Sequence, residues 1–346
     1  MNNIFLVYTQ HQYKSIIHSI KHFNITKNKA VLFVFVENKR NMPKNSWIKN
    51  LLTDGLFKKT FVIEEWSVVN SIIRGSKSAK YFVNILNSFS NSRCRLFSPI
   101  YNSDSVNLAY NILNPYDLII LDDGNASFSV IVQRKNKNTY NFTYSLLSSF
   151  FHRRNMLKSI DEITYFTKYN LPSIGNDNII KYEEEVKKNL LKLDNNCVII
   201  LGSTIYIAPP NMKSIIDPGD YFNTLAEIRN KFKSKSITYY AHRYENEESL
   251  DSIGKFGFEI VKNNKPFEKV FKDFETCPHI IISYGSPILD NLTRMYEKIP
   301  RLITIRMDLS KYRRARLDFE LIYKDFESNK NLEIINHNKI NEIENR

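Results

Sequence analysis

Glycine is scarce in this chain. Nine occur among 346 residues, and none forms a G-x-G-x-x-G or a P-loop sequence, which excludes a glycine-rich phosphate cradle. Cysteine is scarcer still: Cys94, Cys197 and Cys277 are far apart and odd in number, so neither a disulfide framework nor a cysteine-based zinc site has its required spacing. A reducing, cytoplasmic setting is expected. No stretch approaches the roughly 20 uninterrupted apolar residues of a membrane helix, and Met1-Asn2-Asn3-Ile4-Phe5-Leu6-Val7-Tyr8 enters a strand pattern without a basic leader, so neither an anchor nor a signal peptide is expected. Negative charge is short as well. Asp and Glu number 36 against 49 Lys and Arg, leaving a formal +13, which suits a polyanionic partner: nucleic acid, an anionic membrane surface or a phosphorylated substrate. The densest cluster, Lys311-Tyr312-Arg313-Arg314-Ala315-Arg316, reads either as a solvated helix face or as a membrane-docking patch.

What is plentiful is apolar, β-rich runs alternating with helical periodicity. Strands are expected at Ile4–Tyr8, Val31–Val36, Phe61–Ile63, Leu118–Leu121 and Ile163–Phe166. A second series follows at Cys197–Leu201, Ser236–Tyr240, Phe258–Val261, His279–Ile282 and Leu302–Ile305. Tyr13, Ile16, Ile17 and Ile20 fall at helical spacing, Pro218-Gly219-Asp220 is a helix start, and Lys181–Lys192 reads as a charged helical segment. Interleaved strands and helices imply an α/β fold with parallel sheets. The length favours two domains: 1–175, a linker at 176–196, and 197–346. A single larger doubly wound domain with a helical appendage is the alternative, and the polar tail after Ser328 is expected to be of low complexity.

Three segments carry chemistry. Asp122-Asp123-Gly124 closes the run Leu118-Ile119-Ile120-Leu121, placing two acids and a turn residue where open α/β sheets bind ligands; the same triplet also serves as an ordinary strand end and turn. Downstream, His242 follows the strand Ser236–Tyr240 beside Arg243, where an imidazole can donate to a phosphate oxygen and a guanidinium can assist. Glu245, Glu247 and Glu248 read as the start of a helix. Finally Ser283-Tyr284-Gly285-Ser286-Pro287 ends a strand and caps a helix with proline at its first position, a disposition that frees amides and hydroxyls for an anion and equally makes a plain capped helix. Gly124, Gly202 and Gly285 each follow a strand, as tight turns or close ligand approaches require.

In order and spacing these segments resemble the bacterial sialyltransferases and polysialyltransferases of GT-B type, which share a D/E-D/E-G motif, a His-Pro motif and a Ser/Thr-rich motif. Here they correspond to Leu121-Asp122-Asp123-Gly124, Ala241-His242-Arg243 and Ser283-Tyr284-Gly285-Ser286. The opening Tyr8-Thr9-Gln10-His11-Gln12 is similar to the first strand-loop-helix of that family, and Pro266-Phe267-Glu268 matches the place of its ribose-gripping glutamate. Two departures stand out: Arg243 replaces the family's proline, and Tyr284-Gly285 separates serines that are adjacent elsewhere.

The resemblance implies a GT-B fold, with two Rossmann-like domains facing a central cleft. The first would be the acceptor side carrying the base, and the second would bind the CMP donor. It implies inverting transfer of sialic acid, or a related nonulosonic acid, from CMP to a hydroxyl of a bacterial surface glycan. Asp123 would be the general base and His242 the phosphate group's partner. Thr9, Gln12, Gly202, Ser203, Arg243, Glu268, Ser283, Gly285 and Ser286 would line the donor site. Asp122 would be structural. No cofactor or metal is expected, since adjacent Asp122-Asp123 lacks the Asp-x-Asp spacing of metal-nucleotide sites. The acceptor would be a glycan, lipid-linked in one version, with the enzyme peripheral on the inner membrane face and with no nucleic acid bound. The alternatives are a GT-B transferase using CMP-Kdo or a UDP-sugar, and a non-enzymatic basic module binding nucleotide or nucleic acid. Against the last, Phe33, Phe35 and Phe232 occupy core positions rather than a stacking groove.

Overall fold

The computed structural model describes residues 1–36, 46–65, 77–136, 160–183, 192–208, 212–262, 265–296 and 299–343. The chain divides into two compact units, Met1–Tyr182 and Glu183–Arg346, so the single larger domain is excluded. Each unit is a Rossmann-like α/β domain on a wholly parallel sheet.

The first unit runs β1 (Asn2–Val7), α1 (Gln10–His22), β2 (Ala30–Val36), α2 (Ser46–Thr53), β3 (Lys59–Glu64), α3 (Lys77–Asn87), β4 (Cys94–Ser98), α4 (Asp104–Leu113), β5 (Asp117–Leu121), α5 (Ala126–Lys135), β6 (Thr164–Thr167) and β7 (Asn178–Lys181). Its strands lie in the order β3-β2-β1-β4-β5-β6-β7. The run Ala-Val-Leu-Phe-Val-Phe-Val of β2 is buried throughout. Such continuity, in place of strict alternation, is what a strand covered on both faces requires. Phe5 and Phe97, on neighbouring strands, stack at 4.5 Å within this core.

The second unit runs β8 (Lys192–Leu201), α6 (Pro218–Lys231), β9 (Ser236–Ala241), α7 (Glu247–Gly254), β10 (Glu259–Lys262), α8 (Phe267–Lys272), β11 (Thr276–Ser283), α9 (Pro287–Met295), β12 (Arg301–Arg306), α10 (Arg316–Glu327) and β13 (Leu332–Asn336). The order is β10-β9-β8-β11-β12-β13. Numbered within its own unit, the first sheet reads 3-2-1-4-5-6-7 and the second 3-2-1-4-5-6, so the strand order reverses between β1 and β4 and again between β8 and β11. Ligands of such sheets bind outside the carboxyl ends at these reversals.

All the strands expected from periodicity are present, and three more join them. Two Arg/Ser-bearing ends hide β4 (Cys-Arg-Leu-Phe-Ser), and β7 sits in the segment drawn as a linker, of which the charged helical reading at 184–191 lies outside the described residues. The tail after Ser328 holds β13, paired in register with β12 from Leu302↔Leu332 to Arg306↔Asn336. Its Leu-Glu-Ile-Ile-Asn is an edge strand that runs from a buried Leu332 to an exposed Asn336. Among the described residues no helix is long and apolar enough to cross a membrane.

Candidate active site

Asp122 and Asp123 follow β5 and do different work. Asp122 is buried. Its carboxylate accepts from Ser127 Oγ at 3.1 Å and from the Lys168 amide at 2.8 Å, while its carbonyl accepts from Ser15 Oγ at 2.7 Å. These bonds tie the tip of β5 to α5, to the loop after β6 and to α1. Burial pushes its carboxyl above the ordinary range, opposed by hydrogen bonds from the Thr167 side chain and the Lys168 backbone. Asp122 is a structural acid.

Asp123 points a half-buried carboxylate into the same edge. Gln12 Nε2 donates to its Oδ2 at 2.8 Å. The orientation of that amide is forced, because Gln12 Oε1 accepts from the backbone amides of Tyr8 at 2.9 Å and Thr9 at 3.1 Å. Thr9 Oγ1 in turn caps α1 by accepting from the Gln12 amide at 3.4 Å. The pair forms a capping box, and the spare end of its glutamine holds Asp123 as an acceptor. The bond spans the tip of β4, which lies between β1 and β5. Gly124 turns the chain at φ 59°, a conformation that costs a side-chain-bearing residue more than glycine, and delivers it into α5. Thr9 and Gln12, expected to line the donor, are thus the cap and the orienting group of the expected base.

In the second unit His242 leaves the tip of β9. Its Nδ1 accepts from the Tyr244 amide at 3.3 Å, which leaves the proton of a neutral ring on Nε2. Burial first, and the Arg243 charge second, hold the imidazole below its ordinary pKa. The neutral ring therefore presents an Nε2–H donor near pH 7. Arg243 is exposed and lies over the Tyr244 ring at 4.7 Å.

The backbone beneath His242 is fixed by a group that sequence reading placed elsewhere. Glu247 and Glu248 do occupy the first turn of α7, but Glu245 precedes its Asn246 cap. Glu245 Oε1 accepts from the hydroxyls of Tyr206 and Tyr239, each at 2.6 Å, and its Oε2 accepts from the His242 amide. Tyr239 also bonds Tyr221 at 2.8 Å, and the Tyr206 ring stacks on Tyr221 at 4.2 Å. Burial raises the Glu245 pKa, and its three donors oppose the rise. Gly202 makes room for this carboxylate. A Cβ there would meet Glu245 Oε2 and would stand 2.6 Å from the His242 nitrogen. Gly202 is a close-approach glycine. Nothing in Glu-Asn-Glu-Glu distinguishes Glu245 locally, whereas Thr9-x-x-Gln12 carries the capping-box spacing that marks Gln12.

The serine segment divides. Ser283 is fully buried, with no partner for its hydroxyl among the described residues. Tyr284 is buried too, and its ring packs on Tyr221 at 4.7 Å. Only Ser286 reaches the surface. It caps α9 by accepting from the Ile288 amide at 3.3 Å, which leaves its own O–H to donate. Gly285, at φ 62°, donates its amide to Thr304 Oγ1 at 2.9 Å, and a Cβ there would approach the Phe319 ring to 3.0 Å. Glu268 is buried at the start of α8 and accepts from Asn291 Nδ2, in the middle of α9, at 2.7 Å. Ser203 Oγ accepts from the Ile205 amide at 3.3 Å.

No family model and no curated relative matches the chain. Solved structures similar to it include Acinetobacter baumannii MurG, at 8% identity over 99% of this chain and 90% of that one, with TM-score 0.46. Anabaena Alr3699/HepE in complex with UDP matches at 9% identity over 96% and 91%, with TM-score 0.49. The Escherichia coli heptosyltransferase WaaC with ADP matches at 7% over 99% and 94%, with TM-score 0.37. At such values the chemistry has to be read from this chain's own residues.

The cluster Lys311–Arg316 is largely engaged within its own unit. Lys311 pairs with Asp220 at 2.9 Å, Arg313 with Asp217, and Arg316 with Glu320 at 3.2 Å, while Arg314 Nε donates to the Lys213 carbonyl at 2.7 Å. Lys311, Arg313 and Arg314 tie the loop before α10 to the start of α6 and the residues ahead of it, Arg316 pairs within α10, and the Lys311, Arg313 and Arg316 side chains stay 41%, 41% and 58% exposed.

Proposed function

We propose that the chain is an inverting glycosyltransferase that moves sialic acid, or a related nonulosonic acid, from its CMP-activated donor to a hydroxyl of a surface glycan. The observation that carries this reading is the carboxylate of Asp123, held in acceptor form by an amide that can turn only one way, at the carboxyl edge of a Rossmann sheet beside its reversal point. In the proposed reaction Asp123 takes the acceptor hydroxyl's proton as that oxygen bonds to the anomeric carbon. The bond from that carbon to the phosphate oxygen breaks, and its electron pair leaves with CMP. A single displacement inverts the anomeric centre. The donor already bears its carboxylate and a good leaving group, so the protein has to supply a base and stabilisation of the departing phosphate. His242 Nε2–H and the Ser286 hydroxyl at the open end of α9 are suited to the second task. Ser283 is assigned no contact, because it is buried.

Turnover with CMP-sialic acid tests the assignment, with CMP binding measured apart. Asp123→Asn is expected to lose roughly 10²–10⁴-fold in turnover with unchanged CMP affinity, the usual contribution of a positioned base. Near-normal turnover at saturating acceptor would exclude Asp123. His242→Ala should weaken CMP binding as well as turnover, and intact values for both would remove it from the phosphate. The departures at Arg243 and Ser283 favour keeping a second donor class in the test. Thermal shifts with CMP, UDP and ADP separate the base, since only a true ligand stabilises the fold by mass action; CMP-Kdo is separated by turnover.

A further inference from the structure

We propose that the amino edge of the first sheet is a docking surface for an anionic lipid bilayer, a role that does not depend on the catalytic reading. The order β3-β2-β1-β4-β5 sets five strand starts side by side, a row roughly 20 Å wide at ordinary interstrand spacing. Onto it the chain places Lys58 and Lys59 at β3, Lys27 and Lys29 ahead of β2, and Arg93 and Arg95 at β4. All are exposed except half-buried Arg95. Lys21 and His22 also end α1 there, but a helix carboxyl end draws cations by its own dipole, so they are not counted.

None of the six forms an ion pair with a described residue. In the second unit Arg294, Arg301, Arg306, Arg313 and Arg316 each hold an Asp or Glu. Acids near the row are few. Asp54 accepts from the Tyr13 hydroxyl at 2.9 Å and Asp117 from Thr164 Oγ1 at 2.9 Å, while Asp161 and Glu162 precede β6 and bound the row on that side.

Two further features fit a headgroup layer. A concavity of about 390 Å³ opens between Thr26, Lys27, Asn28 and Lys58, and the two lysines bring it two ammonium groups. At β5 the ring of Tyr116, 41% exposed, lies under Arg93 at 4.7 Å and Arg95 at 5.2 Å. Tyrosine beside basic residues is the composition of a membrane interface. Four lysines are point charges without the fork that grips single phosphates, and one tyrosine beside two arginines offers no run of rings for stacking bases. Such a surface attracts a charged layer, not a sequence.

Sedimentation of the full chain with vesicles tests this. Vesicles of phosphatidylcholine containing phosphatidylglycerol should bind the protein, pure phosphatidylcholine should not, and added salt should release it. Replacing Lys27, Lys29, Lys58 and Lys59 together by alanine should weaken partition by about fivefold per cation, a hundredfold or more in all. An equal charge loss in the second unit, Lys255, Lys269, Lys272 and Lys330 to alanine, should leave most of the binding. Equal losses in the two variants would reduce the effect to net charge and overturn the proposal. So would absent binding to the anionic vesicles, or binding of a single-stranded oligonucleotide in their place. Circular dichroism melts of both variants verify that these exposed changes leave the fold intact.

Discussion

Arg134 offers the sharpest test of how the first domain is held together. It is 2% exposed, at the end of α5. Its Nε donates to Asp177 Oδ2 at 2.9 Å and its Nη2 to Asp177 Oδ1, while the remaining donors reach the Tyr101 hydroxyl at 3.0 Å and the carbonyls of Ile160 and Asp161 at 2.8 Å each. Asp177 also accepts from the Ile163 amide at 3.1 Å. The guanidinium thus fastens α5 to the segments that enter β6 and β7. Arg134→Met removes every one of these donors and strands a buried carboxylate, for which the expected loss is about 3–5 kcal/mol. Both tryptophans, Trp47 and Trp66, belong to the first unit, so tryptophan fluorescence in urea follows that domain alone. With a slope of about 2 kcal/mol per molar, the midpoint should fall by roughly 2 M. Arg134→Met combined with Asp177→Leu should recover much of the loss, because apolar replacement of a whole buried pair is often neutral. A midpoint shift below about 0.5 M for Arg134→Met at unchanged slope would refute this account of the pair.

Three other outcomes are expected. Gln12→Glu keeps the capping acceptor but sets a second carboxylate against Asp123 where a 2.8 Å N–H···O bond now stands; like charges so close cannot both ionise, so the acid limb of the pH–rate profile should move upward, and an unmoved limb would detach Gln12 from the base. Gly202→Ala forces a methyl onto the His242 backbone and should cost about 1–3 kcal/mol in the second domain, visible by circular dichroism but not by tryptophan fluorescence. Glu245→Gln should destabilise the second domain, and the gap from the native chain should narrow as pH rises. The Glu245 pKa is raised on folding, so the folded state binds more protons than the unfolded one between the ordinary value and the raised one, and native stability falls with pH across that window. A gap that widens over it would reverse the assigned direction. His242 acts in the other sense: its lowered pKa makes stability rise with pH from its folded value up to its ordinary one.

The chain's apolar runs determined by themselves that the fold is α/β, that its sheets are parallel and that there are two of them, because a strand buried on both faces must be apolar throughout and such runs stand out against polar loops. They also put Asp123, His242 and Ser286 at strand tips or helix starts, since strand ends are marked by turn residues and helix starts by caps. Short edge strands such as β7 and β13 escaped, because half of each faces away from the core and its pattern fades into that of a loop. The partners were decided by tertiary structure. Nothing near Asp123 in sequence foretells that Gln12, on the far side of β4, will hold it. Likewise, Glu245 looks like one more acid at a helix start until Gly202 and two tyrosines from other elements enclose it, and Ser283 resembles Ser286 until packing buries one hydroxyl and leaves the other open. A residue's type and local spacing fix what it can do; which donors, acceptors and neighbours it meets depends on strand order, and that order is set by the burial of the whole domain.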